Sequence, residues 1–193
     1  MAIPRILVFA GSAREASFNK RLARLAAARI EALGGHPTFI DLRDYPMPLY
    51  DGDLEDAQGL PDNALALRKL LAEHQGLLIA SPEYNGFVTP LLTNTIDWLT
   101  RPHQGESGLA LFKERHAGLI SASPGGLGGL RALNHLRQLL TNIGVTVLPD
   151  QLAVAKAGDA FDAEGNLVDT AQSDMLDAVC QRLVTTLDRQ HAD

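Results

Sequence analysis

Short apolar runs alternate along the chain with stretches whose apolar residues recur every three or four positions. The first run, Ile3 to Phe9, reads as a buried strand. From about Phe18 to Leu33 the period changes. Leu22, Leu25, Ala26, Ile30 and Leu33 share one helical face, and Gly34-Gly35 ends it. A short second strand, about Thr38 to Asp41, opens into a loop with three prolines, Leu42 to Pro61. A helix from about Asp62 to Glu73 precedes the third strand, Gly76 to Ala80. That strand is continuously apolar, as a central parallel strand covered on both faces should be.

The same alternation continues. A polar loop, Ser81 to Thr89, leads into a helix over about Pro90 to Leu99, with proline at an early position that needs no backbone donor. The fourth strand is about Ala117 to Ser121. A glycine-rich turn feeds a helix from Leu130 to Ile143, and Gly144 suits its end. The fifth strand lies within Val145 to Val154, and the last helix runs from about Gln172 to Leu187. Five strands alternating with helices predict one doubly wound α/β domain, a parallel sheet with helices on both faces. Periodicity leaves the strand order open. In such sheets ligands sit outside the carboxyl ends of the strands, so the loops after strands one, three and four carry the chemistry to consider.

Composition narrows the function classes. The chain has 193 residues, enough for one domain, and a formal charge of −6. That balance argues against broad nucleic-acid binding and against a polybasic membrane surface. One cysteine, Cys180, excludes an internal disulfide and any multi-cysteine metal site. No apolar run has the length of a membrane span, and the first run passes into a polar motif rather than a cleavage site. A cytoplasmic location is the expectation. The six histidines are scattered without ligand spacing, so no metal site is expected. No G-x-S-x-G nucleophile elbow is present.

The loop after strand one, Gly11 to Asn19, is neither a G-x-G-x-x-G nor a P-loop sequence. It still concentrates oxyanion chemistry. Ser12, Ser17 and Asn19 bring short donors, Arg14 brings a guanidinium fork, and the following helix directs first-turn amides to the same place. The plainer alternative makes Ser17 a helix cap and Arg14 a solvated residue. After strand three, Pro82, Glu83, Tyr84, Asn85 and Gly86 would suit a planar heteroaromatic ligand, or an ordinary turn with a surface tyrosine. After strand four, Ser121 or Ser123 could reach a ligand, or the glycines could simply pack the turn.

The pattern GSxRxxSxN, joined to PEYNG and to N-x-I-D-W-L, resembles the NADPH-dependent FMN reductase family, of flavodoxin-like fold. The likeness covers roughly residues 3–155 and includes the HLRQ stretch, His135 to Gln138. It implies that Ser12, Arg14, Ser17 and Asn19 hold the phosphate of bound FMN, with Phe18 contributing backbone. It implies that Pro82, Glu83, Tyr84, Asn85 and Gly86 line the isoalloxazine, mostly through main-chain groups, and that Ser123 and Gly125 approach its edge. NADPH or NADH would be the donor, and a quinone, azo compound, free flavin or metal oxyanion the small-molecule acceptor, in a ping-pong cycle without a catalytic side chain. A homodimer or homotetramer, with the helix after PEYNG at the interface, is also implied. Thr93 stands where relatives often have lysine, which touches that interface. Arg101, Arg131 and Arg137 are candidates for a 2′-phosphate, and nothing in the pattern selects among them. A flavodoxin-type electron carrier and a flavin-free protein on the same fold are the competing readings.

Overall fold

The computed structural model describes residues 3–190. In chain order the elements are β1 (Arg5–Ala10), α1 (Phe18–Ala32), β2 (His36–Asp41), α2 (Gly52–Gln58), α3 (Asp62–Ala72), β3 (Gly76–Ala80), β4 (Glu83–Tyr84), β5 (Phe87–Val88), α4 (Pro90–Leu99), β6 (His116–Ala122), α5 (Leu130–Asn142), β7 (Thr146–Val154) and α6 (Thr170–Gln190). Five of the strands form one parallel sheet in the order β2-β1-β3-β6-β7. This is the flavodoxin-like arrangement, and its order reverses between β1 and β3.

Alternate residues of β1 serve opposite cores. Ile6, Val8 and Ala10 pack with Leu22 and Ile30 of α1 and Leu176 and Leu183 of α6. Leu7 and Phe9 pack with Leu67 of α3, Leu92 of α4 and Leu136 of α5. Burial on both faces is why these strands read as unbroken apolar runs.

Three features depart from the expected loops. Residues Gly52–Gln58 are helical inside the proline-containing stretch, started by Asp51, whose carboxylate accepts from the Asp53 amide at 2.9 Å. This helix buries no residue, so it left no periodic signal. Just before it, the chain is pinned to α4. Asn94 accepts from the Tyr50 amide at 2.7 Å and donates to the Pro48 carbonyl at 2.9 Å; Trp98 Nε1 donates to that carbonyl at 2.8 Å. Asn94 and Trp98 lie four apart on one helical face. Finally, Glu83 to Val88 form a two-residue hairpin. Asn85 and Gly86 take φ of 54° and 80°, the left-handed pair that a tight turn matched to strand twist requires.

β7 carries an irregularity opposite Ala117 and Leu119. Arg137 of α5 covers it: Nη1 donates to the Val147 and Leu148 carbonyls at 3.1 and 2.8 Å, and Nη2 to Gln151 at 3.0 Å. Oxygens released from the ladder thus keep donors.

Candidate active site at the carboxyl end of the sheet

The loops after β1, β3 and β6 converge and are stitched together by buried hydrogen bonds. The Gly11 amide donates to the Ala80 carbonyl at 2.9 Å, and Thr89 Oγ1 donates to the Gly11 carbonyl at 2.8 Å. Asn19 joins the first loop to β6: its Nδ2 donates to the Ala122 carbonyl at 2.8 Å, and its Oδ1 accepts the Ala122 amide at 3.0 Å. Behind the first loop, the buried Lys20 ammonium meets Asp41 at 2.6 Å. Burial would raise the Asp41 carboxyl, but Lys20 and the Arg43 amide outweigh it and hold it below its ordinary value.

Between these loops lies a cleft open to solvent. Ser12, Arg14, Ser17, Phe18 and Asn19 line one side. Pro82, Glu83 and Tyr84 line another, with Ala122, Ser123 and Pro124 completing it. Asn85, Gly86 and Gly125 do not line it. Asn85 and Gly86 are the hairpin turn, and Gly125 is exposed, its amide donating to Ser123 Oγ at 3.2 Å.

Several of the lining residues also have partners within the protein. Ser17 is the N-cap of α1, its hydroxyl accepting from the Lys20 amide at 3.4 Å, and it still lines the cleft. Asn19, which the resemblance assigns to a phosphate, lines the cleft, and both ends of its carboxamide are bonded to Ala122, bracing the cleft wall. The glycine-rich turn divides in two. A Cβ on Gly128 would stand 2.7 Å from the backbone of Ala153 and Val154, so that glycine serves packing against β7. Gly126 has open space instead, and a Cβ on Gly125 would make only ordinary contact with Ser123 Oγ at 3.6 Å. Ala122 and Pro124 are lining residues the sequence reading missed; flanking Ser123 on both sides was the available signal.

Charge is distributed unevenly around the cleft. Arg14 makes no ion pair among the described residues. The arginines considered for a 2′-phosphate are all engaged: Arg101 with Glu55 at 2.7 Å, Arg137 with β7, and Arg131 with Glu83. Burial would raise the Glu83 carboxyl, but hydrogen bonds from Arg131 and the Ala132 amide outweigh it and keep it below its ordinary value. The one carboxylate lining the cleft is therefore neutralised from behind.

The family model for NADPH-dependent FMN reductase matches residues 4–159. The chain belongs to that family of oxidoreductases. An NAD(P)H-dependent FMN reductase of Pseudomonas aeruginosa is 34% identical over 183 residues, 93% of this chain and 92% of that protein. An NADPH:quinone oxidoreductase of Arabidopsis thaliana is 34% identical over 180 residues, covering 91% and 87%. Among solved structures, the flavoenzyme NAD(P)H:(acceptor) oxidoreductase FerB from Paracoccus denitrificans superposes with a TM-score of 0.82 at 25% identity, covering 97% and 98% of the two chains.

The family implies FMN, and the cleft suits it. A phosphate dianion needs a free cation and short donors, and Arg14, Ser12 and the unpaired first-turn amides of α1 supply them. Pro82, Glu83 and Tyr84, with Ala122 and Pro124, line the remainder of the cleft, where a ring system would lie. No group of three or more metal-ligating side chains occurs among the described residues, and none of their helices is long and apolar enough to cross a membrane.

Proposed function

We propose that this protein is an FMN-dependent NAD(P)H oxidoreductase acting on a small acceptor, a quinone, azo compound, free flavin or metal oxyanion. The observation that carries this is the cleft at the β1/β3 switch point, with an uncommitted arginine at one end and the Pro82–Tyr84 wall at the other. Arg14 would bind the phosphate through charge-assisted bonds, with Ser12 and Ser17 orienting it. Pro82, Tyr84 and Ser123 would position the ring. Bound FMN would supply hydride acceptance and electron release, which no side chain lining the cleft can perform. Donor and acceptor would use the same opening in turn, the arrangement of a ping-pong cycle. Self-association through α4, as a dimer or tetramer, is part of this reading. There Thr93 Oγ1 donates to its own helix, to the Thr89 carbonyl at 3.2 Å.

The deciding measurement is a visible spectrum after addition of excess FMN and desalting, followed by anaerobic NADPH or NADH. Retained flavin bands that bleach on mixing, and return with a quinone, support the proposal. A colourless protein refutes it. Retained bands that neither nucleotide bleaches favour an electron carrier. Parallel lines in double-reciprocal plots at several quinone concentrations are expected for the ping-pong order.

A further inference from the structure

The hairpin that carries Glu83 and Tyr84 has only two residue pairs. Strands this short do not hold themselves in water, so its conformation must be supported from outside. The support comes from one face of α5. Arg131 Nε donates to Glu83 Oε1 at 2.8 Å, and Nη2 donates to the same oxygen. Glu83 Oε2 accepts from the Ala132 amide at 3.3 Å. That amide lies in the first turn of α5, whose N-cap is Gly129 and offers no side-chain acceptor. Glu83 thus caps α5 from a loop 49 residues away. The Arg131 guanidinium also lies along the turn: a Cβ on Gly86 would be 3.6 Å from its Cζ. One helical turn on, the His135 ring sits 4.6 Å from Phe87, centroid to centroid.

We infer that the Glu83–Arg131 pair is a positioning latch: it holds the hairpin against α5 so that the ring end of the cleft is preformed, and takes no part in gripping phosphate. This rests on the reading that the cleft takes FMN. Glu83 is buried at its side chain, 8% exposed, while Arg131 is 60% exposed. Arg131 can therefore be removed with little risk to the fold.

The test compares FMN with riboflavin, which has the ring and lacks the phosphate, by fluorescence titration of the full chain. Glu83→Ala and Arg131→Ala should each weaken both ligands by the same factor, about tenfold, the size expected from loss of one charge-assisted contact. Glu83→Gln keeps one acceptor oxygen, enough for Arg131 or for the Ala132 amide but not for both, and should recover only part of the affinity. Arg14→Ala should weaken FMN alone. Hydrogen exchange on the flavin-free protein provides a readout that needs no ligand: Arg131→Ala should speed exchange at Tyr84 to Val88 while β3 and β6 stay protected. Unchanged binding of both ligands, or loss confined to FMN, overturns the latch. So does unchanged hairpin exchange. If the unaltered protein takes up neither ligand, the reading of the cleft fails, and hairpin exchange alone then decides the latch.

Discussion

The buried His74 at the amino end of the sheet and the cleft at its carboxyl end treat polar groups in opposite ways. At the amino end, His74 is fully buried between Leu70 and Thr38. The Leu70 carbonyl can only accept, so Nδ1 carries the proton, at 2.6 Å; Nε2 is left to accept from the Thr38 hydroxyl at 2.7 Å. The neutral ring is satisfied on both sides. Nearby, a Cβ on Gly76 would stand 2.6 Å from Leu187, so the strand start is closed by α6. At the carboxyl end, Arg14 keeps its charge without a carboxylate partner, and serine hydroxyls and helix amides face a cleft. A buried group whose bonds are complete inside the protein serves the fold. A converging set whose bonds are incomplete awaits a ligand.

The comparison predicts that effects on stability and on flavin binding separate between closed packing positions, at either end of the sheet, and the open cleft. The largest stability loss is expected for Ile6→Ala, near the amino end with no exposed surface. It should lower the unfolding free energy by about 2–5 kcal/mol in denaturant titration. The flavin affinity of the molecules that remain folded should stay as it was. Next comes Gly128→Ala, which combines a positive φ of 64° with a contact against β7 backbone. A loss of about 2–3 kcal/mol is expected, read as a lower denaturation midpoint. Arg14→Ala should do the reverse of both. FMN should bind about tenfold or more weakly, with stability changed by roughly 0.5 kcal/mol or less. Equal loss of binding and stability would erase the distinction between packing positions and cleft.

Acid sharpens the contrast at the closed end. Burial lowers the pKa of His74 from 6.5, and it lowers His116 in the same direction. The unfolded chain therefore binds protons first as pH falls. The stability contributed by the neutral rings is complete above 6.5. It is lost as pH falls through the lower folded-state values. Unfolding curves between pH 8 and 5, roughly the histidine range, should show this decline, and His74→Asn should flatten it. The smallest effect is expected at Gly125→Ala. Its φ is not in the left-handed region and its nearest neighbour is Ser123 Oγ at 3.6 Å. Stability should move by no more than about 0.5 kcal/mol, measured by thermal melting.

Much of this was legible in the sequence because it is local. β3 and α4 lie where the apolar run and the Pro90 start place them. The convergence of Ser12, Arg14 and Ser17 with Pro82 to Tyr84 followed from where α/β sheets bind ligands. The hairpin was legible in part: Asn-Gly between Tyr84 and Phe87 is a strong turn signal, and the sequence offers a polar loop or an ordinary turn there, without the strand pairing on either side. Helix α2 gave no such sign, because a helix that buries nothing has no apolar face to detect.

By itself the sequence determined the alternation of strands and helices, the two-sided burial of the sheet and the donor-rich loop ahead of α1. Each rests on residue spacing within a few turns of chain, where side-chain period and turn chemistry act. Tertiary structure alone decided the strand order and which polar residue each donor meets. Asn19 braces Ala122 across 103 residues, and Arg131 holds Glu83 across 48. Such pairings depend on which elements the packed cores bring side by side, and no local spacing carries that information.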